Sequence, residues 1–279
     1  MKYLVPVDIS NHSSSALKYA IAMAHPEDII TVYHVHYKFN QDETIGSGYY
    51  PRMDTDNIRE QIGILVDVCN PPQNGPEIEI LIDKGEPVNK IVKKASNGNY
   101  DAIVMGTKDK YGVFENLFGT ISTGVVRLAD LPVYLIPGDQ EYEGNRRILI
   151  ATDEHLFVKE ALDTLYENAE KEDTHMLFYH VSDLNNPRND FDDYRFNQIL
   201  SKVKKVKSTA EFQLEYHSDL ITAILDKAKF ANCDLIVISA EPSNWIENIF
   251  TNSVVKQLVK KGNKPMLFLP AYASVLEQN

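Results

Sequence analysis

The chain reads as an α/β protein built from two similar halves, each a mostly parallel sheet covered by helices. Three observations predict this. Short apolar runs of strand length alternate with amphipathic stretches of helical length. Glycine, proline and small polar residues mark the changes between them. Strand-like segments of the first half also recur, in the same order, in the second half. An order βαβαβαβαβ with crossovers of helical length implies parallel strands with helices on both faces.

Residues 2–7 (KYLVPV) form a first strand that ends at Asp8. Ser10, Asn11 and the run Ser13, Ser14, Ser15 suit a helix N-cap, and the helix is expected over Ala16–Ala24. A second strand covers Ile29–His36, and residues 37–53, with Gly46, Gly48 and Pro51, read as an exposed loop. A helix over Asp54–Val68 and a strand over Ile78–Ile82 follow. Gly85-Glu86-Pro87 starts a helix that runs to Ala95, and Ala102–Met105 is a buried strand ended by Gly106. After a polar loop with Lys108, Asp109, Lys110 and Gly112, Gly119-Thr120 opens an amphipathic helix. Its apolar positions are read as Ile121, Val125 and Leu128, at i, i+4 and i+7. A last strand, Val133–Ile136, lies between two prolines.

The second half repeats this plan. ILIATD (148–153) matches YLVPVD (3–8), and FYHV (178–181) matches VYHV (32–35). CDLIVISA (233–240) matches YDAIVMGT (100–107), and KPMLFLP (264–270) matches LPVYLIP (131–137). The offset is 145 at Asp8/Asp153 and 133 at Asp101/Asp234, so the second copy is shorter in its middle. Two domains are expected, at 1–140 and 146–279.

Composition excludes several classes. The net charge of −12 divides evenly, with −6 on residues 1–140 and −6 on 141–279. No basic face is available to neutralise a phosphate backbone, which argues against nucleic acid as a partner. No apolar run approaches the ~20 residues of a membrane span. MKYLVPVDIS lacks the long apolar region of a signal peptide, so a cytoplasmic protein with no membrane partner is expected. Cys69 and Cys233, one per half in apolar contexts, read as reduced core residues.

The stretch from Tyr100 to Pro137 carries the chemistry. Strand, glycine loop and helix N-terminus in that order make an anion site, because glycine admits close backbone approach and the first helical turn offers unpaired N–H groups. Thr120 and Ser122 add hydroxyl donors. A plain strand-to-helix crossover, with glycines for turn geometry, is the alternative reading. In a parallel sheet of order 3-2-1-4-5 the ends of strands one and four, Asp8 and Gly106, would share one crevice at the topological switch point. His34 and His36 alternate on one strand and so share a face, but neither half offers a third metal ligand, and no metal site is expected. His12 and the serines beside Asp8 suggest no nucleophile that capping does not explain more simply. The segment DFDDYRF (190–196) reads as the solvated start of a short helix.

Asp8 after the first strand, the HV of the second, the Lys84-Gly85-Glu86-Pro87 turn and the spacing Gly106, Asp109, Gly119-Thr120 together resemble the universal stress protein family, over nearly the whole chain and in two copies. The resemblance implies flavodoxin-like, Rossmann-like domains with five parallel strands, order 3-2-1-4-5. It also implies pairing through fifth strands, here as an internal pseudo-dimer of Val133–Ile136 with Met266–Leu269, or as a homodimer. In ATP-binding members it implies that Asp8 approaches the ribose, the backbone at Val35 the adenine, and Gly106, Gly119, Thr120 and Ser122 the phosphates. Pro6, Val7, Met105, Lys108, Asp109 and Ile121 complete the nucleotide-binding set so implied, with ATP and magnesium as cofactor.

The departures are specific. Asp109 stands where the family has its second glycine, and Lys108 and Lys110 flank it. In the second copy the corresponding positions are Ser239, Pro242 and Asn252-Ser253, with Trp245 nearby, so all three glycines are absent and phosphate binding is not expected there. Asp153 there reads as a strand-end or cap carboxylate. The reading is a tandem stress-response regulator or adaptor with a nucleotide site in the first domain; the alternative is an interaction or small-ligand module with both loops degenerate. No catalytic residue is assigned, and slow ATP hydrolysis is the most that an enzymatic reading supports.

Overall fold

A computed structural model describes residues 1–8, 11–36, 55–69, 71–107, 120–138, 140–151, 174–183, 210–239, 257–258 and 260–270. The chain divides into two compact units, Met1–Tyr142 and Glu143–Asn279. In the first unit the strands are β1 (Lys2–Pro6), β2 (Ile29–His36), β3 (Glu77–Lys84), β4 (Ala102–Gly106) and β5 (Val133–Ile136), in sheet order β3-β2-β1-β4-β5. The second unit has β6 (Arg147–Ala151), β7 (His175–Asp183), β8 (Glu211–His217), β9 (Leu235–Ser239) and β10 (Met266–Leu269), in order β8-β7-β6-β9-β10. Every pairing within each unit is parallel. Each unit thus has the expected order 3-2-1-4-5.

The first unit's helices are α1 (Asn11–Met23), α2 (Thr55–Val68), α3 (Pro87–Asn97) and α4 (Thr120–Leu128); α5 (Leu220–Phe230) belongs to the second unit. Helix α1 packs on β1 and β4 through Ala16, Leu17 and Ala20, all fully buried. Ile58 and Ile62 of α2 join the same cluster, against which Ile78, Ile80 and Ile82 of β3 pack. Cys69 and Cys233 are buried free thiols; burial raises the pKa of both, that of Cys233 to about 11.

Two expectations at helix level are corrected. Helix α1 starts at Asn11, so Ser13–Ser15 lie inside its first turns and do not precede it as caps. Ser13 spends its hydroxyl on Asp8 instead, and Ser10, directly before the helix, lies outside the described residues. In α4 the inner face is not the stripe of Ile121, Val125 and Leu128. Ile121 and Leu128 are exposed, at 40% and 57%, while Ser122, Thr123, Val125 and Val126 are buried. Burial is centred on Ser122 and Val126, so hydroxyl residues occupy positions that an apolar-stripe reading assigns to solvent.

The duplication extends to individual hydrogen bonds. The Asp101 carboxylate accepts from Lys2 N at 2.6 Å, and the Asp234 carboxylate accepts from Arg147 N at 2.9 Å. Tyr33 Oη donates to Asp83 and Tyr179 Oη to Glu215, both at 2.8 Å. In each case the carboxylate lies two residues past the tyrosine's register partner, Leu81 or Gln213. Burial, then the hydrogen bond to the carboxylate, pushes both phenols well above the ordinary tyrosine range.

Helix starts are duplicated too. Glu86 caps α3 by accepting from Val88 N and Asn89 N, with Pro87 at the first helical position, where a missing N–H costs nothing. Asp219 caps α5, accepting from Ile221 N, Thr222 N and Thr222 Oγ1. The hydroxyl of Thr222 is the main cause that holds the Asp219 carboxyl below the usual carboxylate range. A depressed folded-state pKa contributes stability above the unfolded value, and that contribution is lost as pH falls through the folded value. Asp219→Ala is therefore expected to destabilise the protein by about 1 kcal/mol at pH 7. In urea titrations the difference from the parent should shrink below about pH 4.

Candidate functional site

The site is organised by where β1 parts from its neighbours. On the β2 side, pairing runs to Pro6↔Tyr33 and continues as Val7 N donates to Tyr33 O at 2.9 Å. On the β4 side it stops at Leu4↔Ile103. Backbone groups alternate sides along a strand. Lys2 O accepts from Asp101 N beside β4, so the even residues of β1 face β4. Pro6 falls in that set and has no N–H to give. The β1–β4 ladder therefore ends two residues early, and the last two residues of the seam lack ladder bonds. In the second unit Ala151 holds the position of Pro6, and pairing with β9 continues to Ala151↔Ile238.

Asp8 lies just past the end of β1. Its N–H donates to Ser13 Oγ at 2.9 Å, and Ser13 Oγ donates to Asp8 Oδ1 at 2.6 Å. Ser13 is buried and Asp8 exposed, so a buried hydroxyl at the start of α1 fixes a carboxylate at the rim.

His34 closes the other side of the strand end. Its Nδ1 lies 2.8 Å from Val7 O. A carbonyl can only accept, so Nδ1 carries the proton and in the neutral ring Nε2 is the acceptor. The ring of His36 lies 6.5 Å away, centroid to centroid. Among the described residues there is no group of three or more side chains able to hold a metal ion. His34 thus orients the end of β1.

The alternation also locates Val35. Tyr33 O accepts from Val7 on the β1 side, and His36 O accepts from Gly85 N on the β3 side, at 3.0 Å. The backbone N–H and C=O of Val35 therefore face the β1 side, beyond the point where β1 has ended.

Met105 and Gly106 end β4, and Thr107 N donates to Ile136 O at 2.9 Å, so β4 stays bonded to β5 beyond the last rung it shares with β1. At α4, Ile121 is exposed, Ser122 buried, and Thr123 2% exposed with no hydrogen-bond partner for Oγ1. Lys108, Asp109 and Gly119 lie outside the described residues, as do Lys110, Gly112, Asp153, residues 190–196, Pro242, Trp245 and Asn252-Ser253; Thr120 is described as the first residue of α4 only.

The structure thus brings together Pro6, Val7, Asp8, Val35, Met105 and Gly106 on adjacent strand ends. Sequence reasoning missed Ser13, Thr123 and the role of His34. The signal for Ser13 was its place five residues after Asp8; an orphaned Thr123 hydroxyl has no signature in sequence. The donor set fits a nucleotide: a fixed carboxylate for hydroxyls, outward backbone groups for a base, and inner-face hydroxyls on a helix that follows a glycine loop.

A doubly wound α/β domain with a switch-point crevice belongs to the class of folds that bind ligands at their strand ends. The profile of the universal stress protein family matches residues 1–137 and again 144–270, and the chain belongs to that family. Universal stress protein YxiE of Bacillus subtilis (strain 168) is 26% identical over 144 residues, 48% of this chain and 97% of that protein. The crystal structure of a universal stress protein from Archaeoglobus fulgidus DSM 4304 matches at TM-score 0.72 and 20% identity, covering 98% of this chain and 97% of that one. A functionally unknown protein from Pseudomonas aeruginosa PAO1 matches at TM-score 0.64 and 9% identity, over 96% of this chain and 92% of that one. Such identities show the fold. No helix among the described residues is long and apolar enough to cross a membrane.

Ser13→Ala removes both bonds to Asp8 and leaves its N–H without that acceptor. The expected loss is about 1–2 kcal/mol of stability in urea denaturation. Ser13→Thr, which keeps the hydroxyl, should recover most of it.

Proposed function

We propose that the protein is a stress-response regulator or adaptor that binds ATP with magnesium at one site, in a first domain of residues 1–140. The second domain, 146–279, is read as lacking such a site. The observation that supports this most is the early end of the β1–β4 ladder at Leu4↔Ile103, with Asp8 held by Ser13 beyond it and buried hydroxyls on α4.

In this reading Asp8 accepts from ribose hydroxyls, and the backbone of Val35 meets the base edge between Pro6-Val7 and Met105. Gly106, Gly119, Thr120 and Ser122 take the phosphates, with Ile121 N–H in the same helical turn. The magnesium supplies charge neutralisation on the phosphates. The domains pair through their last strands, Val133–Ile136 with Met266–Leu269, or through copies of the chain, and the protein works in the cytoplasm. No residue is assigned a catalytic role, and slow ATP hydrolysis is the most this reading supports.

Asp109 favours a second reading, in which the loop takes no phosphate and the chain binds a protein or another small ligand. A carboxylate a few ångströms from a phosphate opposes it by ~1 kcal/mol per charge pair in bulk water and ~4 kcal/mol at an effective dielectric of 20. Lys108 offsets part of this, and the helix N-terminus contributes about 0.3–2 kcal/mol in favour.

Calorimetric titration with Mg-ATP separates the two readings. Saturable heat near one equivalent per chain is expected, abolished by Gly119→Glu and tightened by Asp109→Gly. Pro6→Ala, which restores an N–H toward β4, should weaken binding. No heat and no thermal shift at millimolar ATP would leave the second reading in place.

A further inference from the structure

The outer edge of the first unit's sheet combines backbone groups that no other described strand pairs with a mostly acidic side-chain face. Strand β3 ends the order β3-β2-β1-β4-β5. Glu77 N donates to Asp28 O, and Gly85 N donates to His36 O, so the odd-numbered residues of β3 turn their backbone toward β2. Ile78, Ile80 and Ile82 therefore turn theirs outward. Arg59 of α2 corroborates this by donating to Ile80 O, at 3.3 Å and exposed to solvent. Residues 78–83 are all partly exposed, whereas β1 and β4 are buried along most of their length.

We propose that β3 accepts an added strand from a partner protein, an extended segment in which basic and apolar residues alternate. Strand addition to an open edge takes its affinity from backbone bonds and its selectivity from alternate side chains. On one face of β3 stand Glu77, Glu79, Leu81 and Asp83; Glu79 accepts from Thr31 and lies 3.7 Å from Lys2 Nζ, Asp83 accepts from Tyr33, and Glu77 is exposed at the start of the strand. The opposite face carries Ile78, Ile80 and Ile82, packed on the cluster that includes Ile58 and Ile62 of α2. A strand beside β3 would present one side chain set to carboxylates and the other to isoleucines. A basic and apolar alternation complements the net negative face around Leu81 on one side and the isoleucines on the other.

The same pattern disfavours a second copy of the chain. A symmetric antiparallel pair must oppose outward-facing residues with one another. The two registers of longest overlap, centred on Ile80 and Leu81, set Glu77 opposite Asp83 and Glu79 opposite Asp83. Like charges directly opposite are destabilising. Arg59 acts as a removable cover, whose single exposed bond the incoming backbone replaces.

The test uses the full chain and fluorescence anisotropy of a labelled peptide as long as β3, alternating lysine and valine. Two controls are a glutamate and valine peptide, and the lysine and valine peptide N-methylated at alternate residues on either phase. Strand β8 carries Glu211 and Glu215 on its matching face, so the β3 site is read through variants of its own surroundings, checked for folding by circular dichroism. The lysine peptide should bind saturably, and both controls at least ~tenfold more weakly, because ladder bonds or charge pairing are lost. Glu77→Lys should weaken binding several-fold and Arg59→Ala should tighten it. Equal binding by an N-methylated peptide would reduce the effect to charge attraction and overturn the proposal. So would absence of binding, or self-association of the chain that Glu77→Lys abolishes.

Discussion

The first unit depends on how far β1 stays paired with β4. A parallel sheet gains from every rung, yet a ligand site at its switch point needs the two central strands to part. Pro6 settles this conflict locally. Its ring removes one donor, and the missing donor points to β4 because of the strand's alternation. Val7 still bonds to β2, so the strand keeps its direction while its β4 side goes without rungs. Ser13 and His34 then hold the freed end, one through Asp8 and the other through Val7 O. Each of these contacts lies past the last rung that β1 shares with β4.

The second unit is a built-in comparison. It keeps the framework devices: the carboxylate that receives the first strand's N–H, the tyrosine that bonds across the outer strands, and the carboxylate cap after β8. It differs at the seam, where Ala151 replaces Pro6 and pairing continues. The two tyrosine bonds are half-buried, and leaving such groups unpaired costs more than the bonds themselves contribute. A duplicated domain therefore loses its framework only with its fold, whereas its seam is free to close.

Much of this was legible in the sequence because it rests on local pattern. Apolar runs gave the strands, repeated segments such as VYHV and FYHV gave the two units, and Gly85-Glu86-Pro87 gave a helix start. The inner face of α4 was not legible. Ile121 and Leu128 outweigh Ser122 and Thr123 on any hydropathy count, and only tertiary packing turns the helix by roughly a quarter turn. Ser13 was misread for a related reason. A serine near a helix start has capping as its ordinary local use, and the competing acceptor, Asp8, is a neighbour only once β1 and α1 pack together. Pro6 was visible, but its consequence depends on which neighbour its nitrogen faces, and that is a property of sheet register.

Sheet register also links the two ends of the first unit. The alternation that turns the backbone of Pro6 toward β4 turns that of Val35 toward β1 and that of Ile78, Ile80 and Ile82 away from β2. Shifting β2 by one residue would turn Val35 away from the seam, break the Tyr33–Asp83 bond and move apolar side chains off the core face. The tyrosine bond is thus more than a stabilising contact. It forms only in one register, so it ties the geometry of the inner crevice to that of the outer edge. The second unit repeats the bond without the early end of the ladder. Register control is therefore the older requirement of the two in physical terms: it is needed wherever the sheet forms, and the crevice is a local relaxation imposed on a sheet already in register.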